Sequence, residues 1–160
     1  MTDDTPSAQV AALTWGVKQS FRNYVQATGG TIETAGGAAP AADGAFAFPA
    51  TPGQGLTLDD AGRPQGAGRF AGEVRFQAHG GMLSVRLVEP GLEVTSTGAA
   101  LSVADGERRV AIATLDLAAA GPGEAGELVI PAALTLDGSF LLGDHYPPAT
   151  VLDPVRLSLG

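Results

Sequence analysis

The clearest pattern along the chain is an alternation of apolar and polar positions near its middle. Residues 70–78 alternate, residues 82–88 alternate again, and the corner between them is His79-Gly80-Gly81. Alternation with a period of two is typical of strands that bury one face. Two such runs around a glycine-rich corner predict a β-hairpin with His79 at its tip.

Residues 17–28 follow a different pattern, in which apolar side chains recur at the spacing of one helix face. The positions at i, i+4, i+7 and i+8 are Val17, Phe21, Tyr24 and Val25. Two glycines follow, so we predict a short amphipathic helix that ends near Gly29. Ser20 lies four residues before Tyr24, which places both hydroxyls along one side of the helix. The polar side chains of this segment, including Arg22, are expected to face solvent.

Shorter apolar runs between turn residues predict further strands. They cover residues 11–15, 31–34, 45–48, 92–96, 100–103, 109–116, 128–130 and 152–159, with a turn expected at 89–91. Residues 134–142 fit either a strand or a second short helix. Many short strands at regular spacing favour a mainly β fold. We therefore predict a single antiparallel β-sandwich or barrel-like domain over residues 13–160, with one clear N-terminal helix, preceded by a tail and the start of the first strand at residues 1–12.

Charge and composition exclude several classes of function. The 160-residue chain has a formal net charge of −8, which argues against nucleic acid or an anionic membrane surface as a partner. It has no cysteine, which excludes disulfides, thiolate metal sites and iron–sulfur clusters. Residues 1–8 lack the apolar core of a signal peptide, and no stretch has the length of a membrane span. An intracellular protein and one module of a longer secreted protein therefore both stay open.

Few side chains are available for catalysis. The only histidines are His79 and His145, the only tyrosines are Tyr24 and Tyr146, and no GxSxG or HExxH motif is present. Taken alone, Tyr24 is typical of a packing residue at a helix edge, and His79 of a turn residue. This inventory favours a protein that is not an enzyme.

Three segments together resemble the HtaA-type haem-binding domain, which is known from bacterial surface and secreted haem-uptake proteins. They are TWGVKQSFRNYV at 14–25, GEVRFQAHGGMLSVRLVEP at 72–90 and LDPVRLSL at 152–159. The resemblance extends over residues 13–159 and implies a mostly antiparallel β fold with a few short helices. It also implies that Tyr24 is the axial ligand of haem iron, that His79 hydrogen-bonds this tyrosine, and that Ser20 belongs to the same pocket.

The ligand that this resemblance implies is haem b with ferric iron, held for capture and transfer. A phenol has a reference pKa of about 10, but ferric iron is a hard Lewis acid that favours the phenolate, and tyrosinate is an established haem ligand. A hydrogen bond from a neighbouring group orients such a ligand and tunes its basicity. Because phenolate favours Fe(III) over Fe(II), it suits haem capture and release better than reversible dioxygen binding.

Two other functions stay open at this point. A peroxidase-type haem enzyme would need an acid–base group on the opposite face of the haem, for which His145 is the remaining imidazole. The other alternative is a β-sandwich interaction domain that has kept the fold and lost haem. The visible spectrum after addition of hemin distinguishes the interaction domain from the haem carrier and the haem enzyme, because only the last two bind haem.

The resemblance also bears on partners and location. A haem donor or acceptor protein is a further expected partner, and a homodimer stays open. Arg22, Arg75 and Arg86 are candidates to pair with the two haem propionates, whereas Tyr146 and the phenylalanines, Phe140 among them, are expected to be structural. The family implies a secreted or cell-surface location, while the absence of a leader or anchor from this sequence leaves a cytoplasmic protein or an excised module open.

Overall fold

The computed structural model describes residues 8–123, 126–143 and 146–159. These residues contain two α-helices, α1 at Gln19–Ala27 and α2 at Leu136–Leu141, and three short 3₁₀ turns. The strands in chain order are β1 Ala8–Trp15, β2 Thr31–Ala35, β3 Ala39–Pro40, β4 Phe46–Pro49, β5 Thr57–Leu58, β6 Pro64–Gln65, β7 Ala67–Arg69, β8 Glu73–Ala78, β9 Leu83–Thr95, β10 Gly98–Asp105, β11 Arg108–Leu115, β12 Gly121–Pro122, β13 Leu128–Leu134 and β14 Val151–Leu159.

The long strands form one antiparallel sheet that curls into a nearly closed barrel. Their order along the sheet is β2-β8-β9-β10-β11-β13-β14-β1-β4-β3. The two end strands, β2 and β3, contact each other, which brings the edges of the sheet together. Short strands attach to this path, with β7 on β9, β12 on β13, and the β5–β6 pair on β1. The predicted mainly β fold is therefore confirmed, in its barrel-like form.

Aromatic rings join helix α1 to the interior of the barrel. The ring centroid of Phe76 on β8 lies 5.2 Å from that of Phe21 on α1 and 5.9 Å from that of Phe46 on β4, both in edge-to-face geometry. All three side chains are buried. Such ring pairs add roughly 0.5–1.5 kcal/mol to the free energy gained by burying the rings. Phe21 thus holds α1 against the sheet, where the helix contacts β2 and β8.

The predicted hairpin is present, but its second strand is longer than the pattern indicates. β8 and β9 pair from Glu73↔Val88 to Ala78↔Leu83, and His79 lies in the connecting turn. The turn expected at 89–91 is wrong, because β9 continues through it. Glu89 adopts a left-handed φ of 47°, and the pairing of β9 with β10 shifts register in this region. A bulge therefore bends the strand where Glu-Pro-Gly suggested that it would end.

Several other boundaries differ from the sequence pattern. The ambiguous segment forms helix α2, because Thr135 Oγ1 accepts a hydrogen bond from Gly138 N at 2.9 Å and so caps the first turn. Strand β1 begins at Ala8 rather than at residue 11, and residues 1–7 of the expected tail lie outside the described ranges. Strand β14 is interior, since it pairs with both β13 and β1.

A tyrosine–histidine pair beside the first helix

Helix α1 begins at Gln19 rather than at Val17, because the turn before it is left-handed. Val17 has a φ of 66°, a conformation that β-branched side chains rarely adopt. Its side chain is buried, and its carbonyl accepts a hydrogen bond from Asp153 N at 2.9 Å. At Gly16 a Cβ atom would collide with Nη1 of Arg22. The shape of this turn is therefore set by contacts with β14 and with α1 itself.

Arg22 does not face solvent, as the sequence pattern suggested, but is buried with only 7% of its surface exposed. Its Nη1 donates to Gly16 O at 2.7 Å and to Asp153 Oδ2 at 2.6 Å, and its Nη2 donates to Asp43 O at 3.0 Å. A buried charge is tolerated only when it is paired and hydrogen-bonded in this way. Arg22 therefore connects α1 to three other parts of the chain.

Asp153 also caps the helix that Arg22 anchors. Its Oδ1 accepts a hydrogen bond from Gln19 N at 3.2 Å, one of the backbone donors that the first turn leaves unpaired. Its carbonyl accepts a hydrogen bond from Trp15 Nε1 at 2.7 Å. The pairing of β14 with β13 is irregular next to Pro154, which is where a proline can be accommodated inside a sheet. Asp153, which lies at this irregularity, thus fixes the position of α1 and with it the position of Tyr24.

The hairpin tip presents His79 in a left-handed conformation. The φ values are 55° at His79, 67° at Gly80 and 95° at Gly81, so three successive residues occupy the region that favours glycine. Histidine is one of the few other residue types that are enriched there. The side chain of His79 is exposed. Residues held in sparsely populated backbone conformations are often found at functional sites.

The side chains of Tyr24 and His79 meet between α1 and the hairpin tip. Tyr24 Oη lies 2.6 Å from His79 Nε2, and the ring centroids are 5.7 Å apart. Tyr24 is half-buried, so its oxygen lies at the edge of the core and near solvent. A phenol and an imidazole at this distance can share or exchange a proton. The pair can therefore hold a tyrosine oxygen in a fixed orientation as a metal ligand.

Ser20 lies on the same helix face but contacts a different tyrosine. Its Oγ is 2.8 Å from Oη of Tyr146, a residue 126 positions away in sequence. The Tyr146 ring also packs edge to face on Phe21, with 6.4 Å between centroids, and Ser139 Oγ donates to Tyr146 O at 2.5 Å. Tyr146, expected only as a structural residue, thus lies beside the site. A signal in the sequence could have drawn attention to it, since Tyr146 is one of only two tyrosines.

The three arginines considered as partners of an anionic ligand are all engaged. Arg22 is held by Asp153 in the interior. Arg75 and Arg86 both pair with Glu73, at 3.4 Å and 3.2 Å respectively. Arg75 and Arg86 also belong to the polar positions of the hairpin strands, which alternate with buried ones. Another cation contacts the ring of Tyr146.

That cation is Lys18, the residue before α1 and the only lysine in the chain. Its Nζ lies 5.9 Å from the centre of the Tyr146 ring and donates a hydrogen bond to Val151 O at 2.9 Å. Lys18 therefore adds a positive charge to the surface that carries Ser20 and Tyr146. His145, named as the imidazole for an opposite haem face, lies outside the described residues.

Exposed apolar side chains lie close in sequence to the site. Met82, which follows the hairpin tip, is 90% exposed, and Phe140 on α2 is 61% exposed. The expectation that Phe140 belongs to the core is wrong, because α2 buries Gly138 and Ser139 instead. Within the described ranges, no group of three or more His, Cys, Asp or Glu side chains could hold a metal ion.

Comparison with known proteins identifies the family. The HtaA family model matches residues 10–158. The chain belongs to the HtaA family. It is similar to the C-terminal domain of HtaA from Corynebacterium glutamicum, with 26% identity and a TM-score of 0.73 over 96% of this chain and 99% of that one.

Two further solved structures share the fold. The N-terminal domain of the same HtaA has 23% identity and a TM-score of 0.73, over 97% of this chain and 99% of that one. The heme binding protein HtaB from Corynebacterium glutamicum has 18% identity and a TM-score of 0.69, over 98% and 95%. No curated protein sequence matches the chain. Among the described residues, neither helix has the length and apolar character needed to cross a membrane.

Proposed function

We propose that this protein binds ferric haem, with Tyr24 as the ligand of the iron and His79 as the hydrogen-bond partner of that ligand, and that it captures haem and passes it on. The 2.6 Å contact between Tyr24 Oη and His79 Nε2 is the observation that carries this proposal. Membership of the HtaA family supports haem as the ligand in general. HtaB, which shares the fold, is itself a heme binding protein.

The donor set fits ferric haem. Ferric iron prefers a hard anionic oxygen, and Tyr24 offers one at the edge of the core, where a flat ligand can approach from solvent. His79 takes the phenol proton and keeps the oxygen oriented toward the ligand. When bound, the haem iron supplies the Lewis acid that makes the phenolate the favoured form of the tyrosine.

Polar groups for the haem propionates are present on the same side of α1. The hydroxyls of Ser20 and Tyr146 lie 2.8 Å apart, and the ammonium group of Lys18 is 5.9 Å from the centre of the Tyr146 ring. These groups offer two neutral donors and one positive charge in a protein whose net charge is −8. Lys18 therefore replaces the three arginines as our candidate for the propionate partner.

This arrangement is suited to a carrier in haem uptake rather than to an enzyme. Its expected partners are a haem donor and a haem acceptor, and a secreted or surface location is part of the same proposal. Oxidised haem b is the expected form of the ligand, since phenolate stabilises Fe(III) relative to Fe(II).

Hemin titrations of two matched variants test the ligand assignment. Tyr24→Phe and Tyr146→Phe each remove one hydroxyl from the same surface, so they perturb packing to a similar extent. We expect Tyr24→Phe to lose the tyrosinate charge-transfer band and to release hemin faster, whereas Tyr146→Phe keeps that band. An unchanged spectrum of the Tyr24→Phe complex would show that another residue binds the iron. A wild-type protein that leaves the hemin spectrum unchanged would instead be an interaction domain.

A further inference from the structure

A cavity lies at the end of the barrel opposite to helix α1. Strand β1 begins at Ala8, which pairs with Leu58, and its Val10 pairs with Leu159 near the end of β14. Helix α1, which carries Tyr24, follows the other end of β1. The start of β1 and the end of β14 therefore mark the end of the barrel that is remote from the tyrosine–histidine pair.

This cavity has a volume of about 870 Å³. Pockets that hold small organic molecules measure roughly 300–1,000 Å³, and the mouth of a barrel is a common place for them. The wall comes from the β5–β6 pair, the 3₁₀ turn at Leu117–Ala119, β12 and the adjoining ends of β13 and β14. Its larger apolar side chains are Leu58, Pro64, Leu117, Pro122, Leu128 and Leu159.

The wall of the cavity is aliphatic. None of the described residues that line it is aromatic, and only Arg63 and Glu127 among them carry a charge. Leu159 is 47% exposed, and Leu117 and Leu128 are half-buried, so apolar surface of the wall stays in contact with water. Exposed apolar surface around a cavity often marks a binding site. Such a wall suits an aliphatic chain, because burial of methylene groups against it is favourable.

The two charged side chains of the wall differ in their bonding. Glu127 is already engaged within the protein. In the part of the chain that the structure describes, the guanidinium of the exposed Arg63 has no ion pair or hydrogen bond. The nearby carboxylate of Asp59 instead accepts hydrogen bonds from the backbone, from Ala61 N and Arg63 N at 2.9 Å each. An unpaired positive charge beside an aliphatic wall favours a ligand with an anionic head group.

We propose that this cavity binds the aliphatic chain of a fatty acid and that Arg63 pairs with its carboxylate. The chain lies against the leucines of the wall and covers the apolar surface that water now contacts. The segment before Ala8 has the sequence MTDDTPS, which offers too few apolar side chains to cover such a wall. The site shares no residue with the haem proposal, so each can fail without the other.

NMR titration of the haem-free full chain tests the site with hexanoate, octanoate and decanoate, each below its micelle concentration. The amide shifts of Gly62, Gly121 and Leu128 report on the cavity, and those of Gly80 and Gly81 report on the hairpin tip at the other end. We expect saturable shifts in the first group only. Affinity should rise about three- to fourfold for each added methylene, because each one is buried against the wall.

The head group is tested with decylamine, which has a chain of the same length and the opposite charge. It should bind more weakly than decanoate to the wild-type protein. Arg63→Gln should weaken decanoate binding about two- to fivefold, the range expected for an ion pair near the surface, and should remove the preference for the carboxylate. Arg108→Gln makes the same charge change at an exposed arginine at the other end of the barrel and should leave binding unchanged.

The chain site is tested with Leu159→Asp. This change removes apolar surface from the wall and adds a charge that repels the carboxylate, so decanoate binding should weaken about tenfold or more. Leu136→Asp is the matched control, because Leu136 is 58% exposed on α2 and does not line the cavity. Thermal unfolding of each variant checks that it is folded.

Four results would overturn the proposal. One is the lack of a saturable shift at the cavity amides with all three acids. Another is equal affinity for hexanoate and decanoate, which would show that the chain is not buried. The third is binding of decylamine as tightly as decanoate. The fourth is dimerisation that Leu159→Asp abolishes, which would assign the cavity to a second copy of the chain.

Discussion

Arg22 and Asp153 join the first helix to the last strand through an ion pair of 2.6 Å that is largely removed from solvent. The side chains are 9% and 30% exposed, respectively. The pair closes the turn before α1 through Gly16 O and caps the helix through Gln19 N. Because Tyr24 follows Arg22 on the same helix, the position of its hydroxyl depends on this contact.

Removal of one member of this ion pair should strongly destabilise the fold. Arg22→Met keeps much of the side-chain volume but leaves Asp153 without its cation, so we expect the free energy of unfolding to fall by about 3–5 kcal/mol. Urea denaturation measures the change. Arg75→Met is the matched control, because Arg75 is 42% exposed and pairs with Glu73 at 3.4 Å. There the change should stay within about 1 kcal/mol, and equal losses in both variants would contradict the assigned role of Arg22.

The hydroxyls of Ser20 and Tyr146 should be energetically coupled. Their 2.8 Å contact connects α1 to a segment far away in sequence. In a double-mutant cycle with Ser20→Ala and Tyr146→Phe, we expect a coupling free energy of about 0.5–1.5 kcal/mol from unfolding curves. Additive effects would mean that both hydroxyls bond to water instead.

Loss of the His79 imidazole should weaken haem retention without removing the ligand. We expect hemin affinity to fall roughly 10–100-fold while the tyrosinate spectrum persists, as is typical when a group that orients a metal ligand is removed. His79→Gly is the cleaner variant, because φ is 55° at this position and glycine adopts that conformation without strain. His79→Ala adds the backbone strain and serves as its comparison. A His79→Gly protein that retains hemin like the wild type would remove His79 from the site.

Reduction and acidification should both speed haem release. Phenolate stabilises ferric iron more than ferrous iron, so reduction weakens the bond to Tyr24. A proton delivered by His79 across the 2.6 Å contact converts the phenolate into a weak phenol ligand. Stability of the complex should therefore be highest near neutral pH and should fall on acidification.

Stopped-flow transfer of hemin to an apo-globin tests this mechanism on oxidised and dithionite-reduced protein across a pH series. Identical release rates in the two oxidation states would eliminate redox-linked release even if Tyr24 proves to be the ligand. Turnover of peroxide by the haem-loaded protein would point to the enzymatic alternative instead.

Local patterns predicted much of the fold. The alternation before and after His79 reflects one buried face in each strand, so the β8–β9 hairpin followed directly from it. The spacing of Phe21 and Val25 reflects the buried face of α1 in the same way. These elements are encoded by neighbours in sequence, which is why periodicity is sufficient to find them.

Contacts between distant residues could not be predicted from such patterns. Arg22 lies on the polar side of the helix pattern, but its side chain is buried. Burial of its charge is possible because Asp153, 131 residues later, forms an ion pair with it. The turn expected at Glu89 is instead a bulge inside strand β9, where Glu89 O accepts a hydrogen bond from Arg109 and Glu89 N donates one to Gly72 O. Tyr24 and His79 were named through the family resemblance, and the structure brings their side chains to 2.6 Å. Their roles in haem binding stay predictions.

The connection between Arg22 and Asp153 also has a consequence for synthesis. During synthesis β1 and α1 leave the ribosome long before β14, and β1 pairs with β14 in the finished barrel. Until the final strand appears, α1 lacks both its anchor and its cap. A nascent chain therefore cannot hold Tyr24 in its final position, and uptake of a ligand by this site has to wait until translation of the domain is complete.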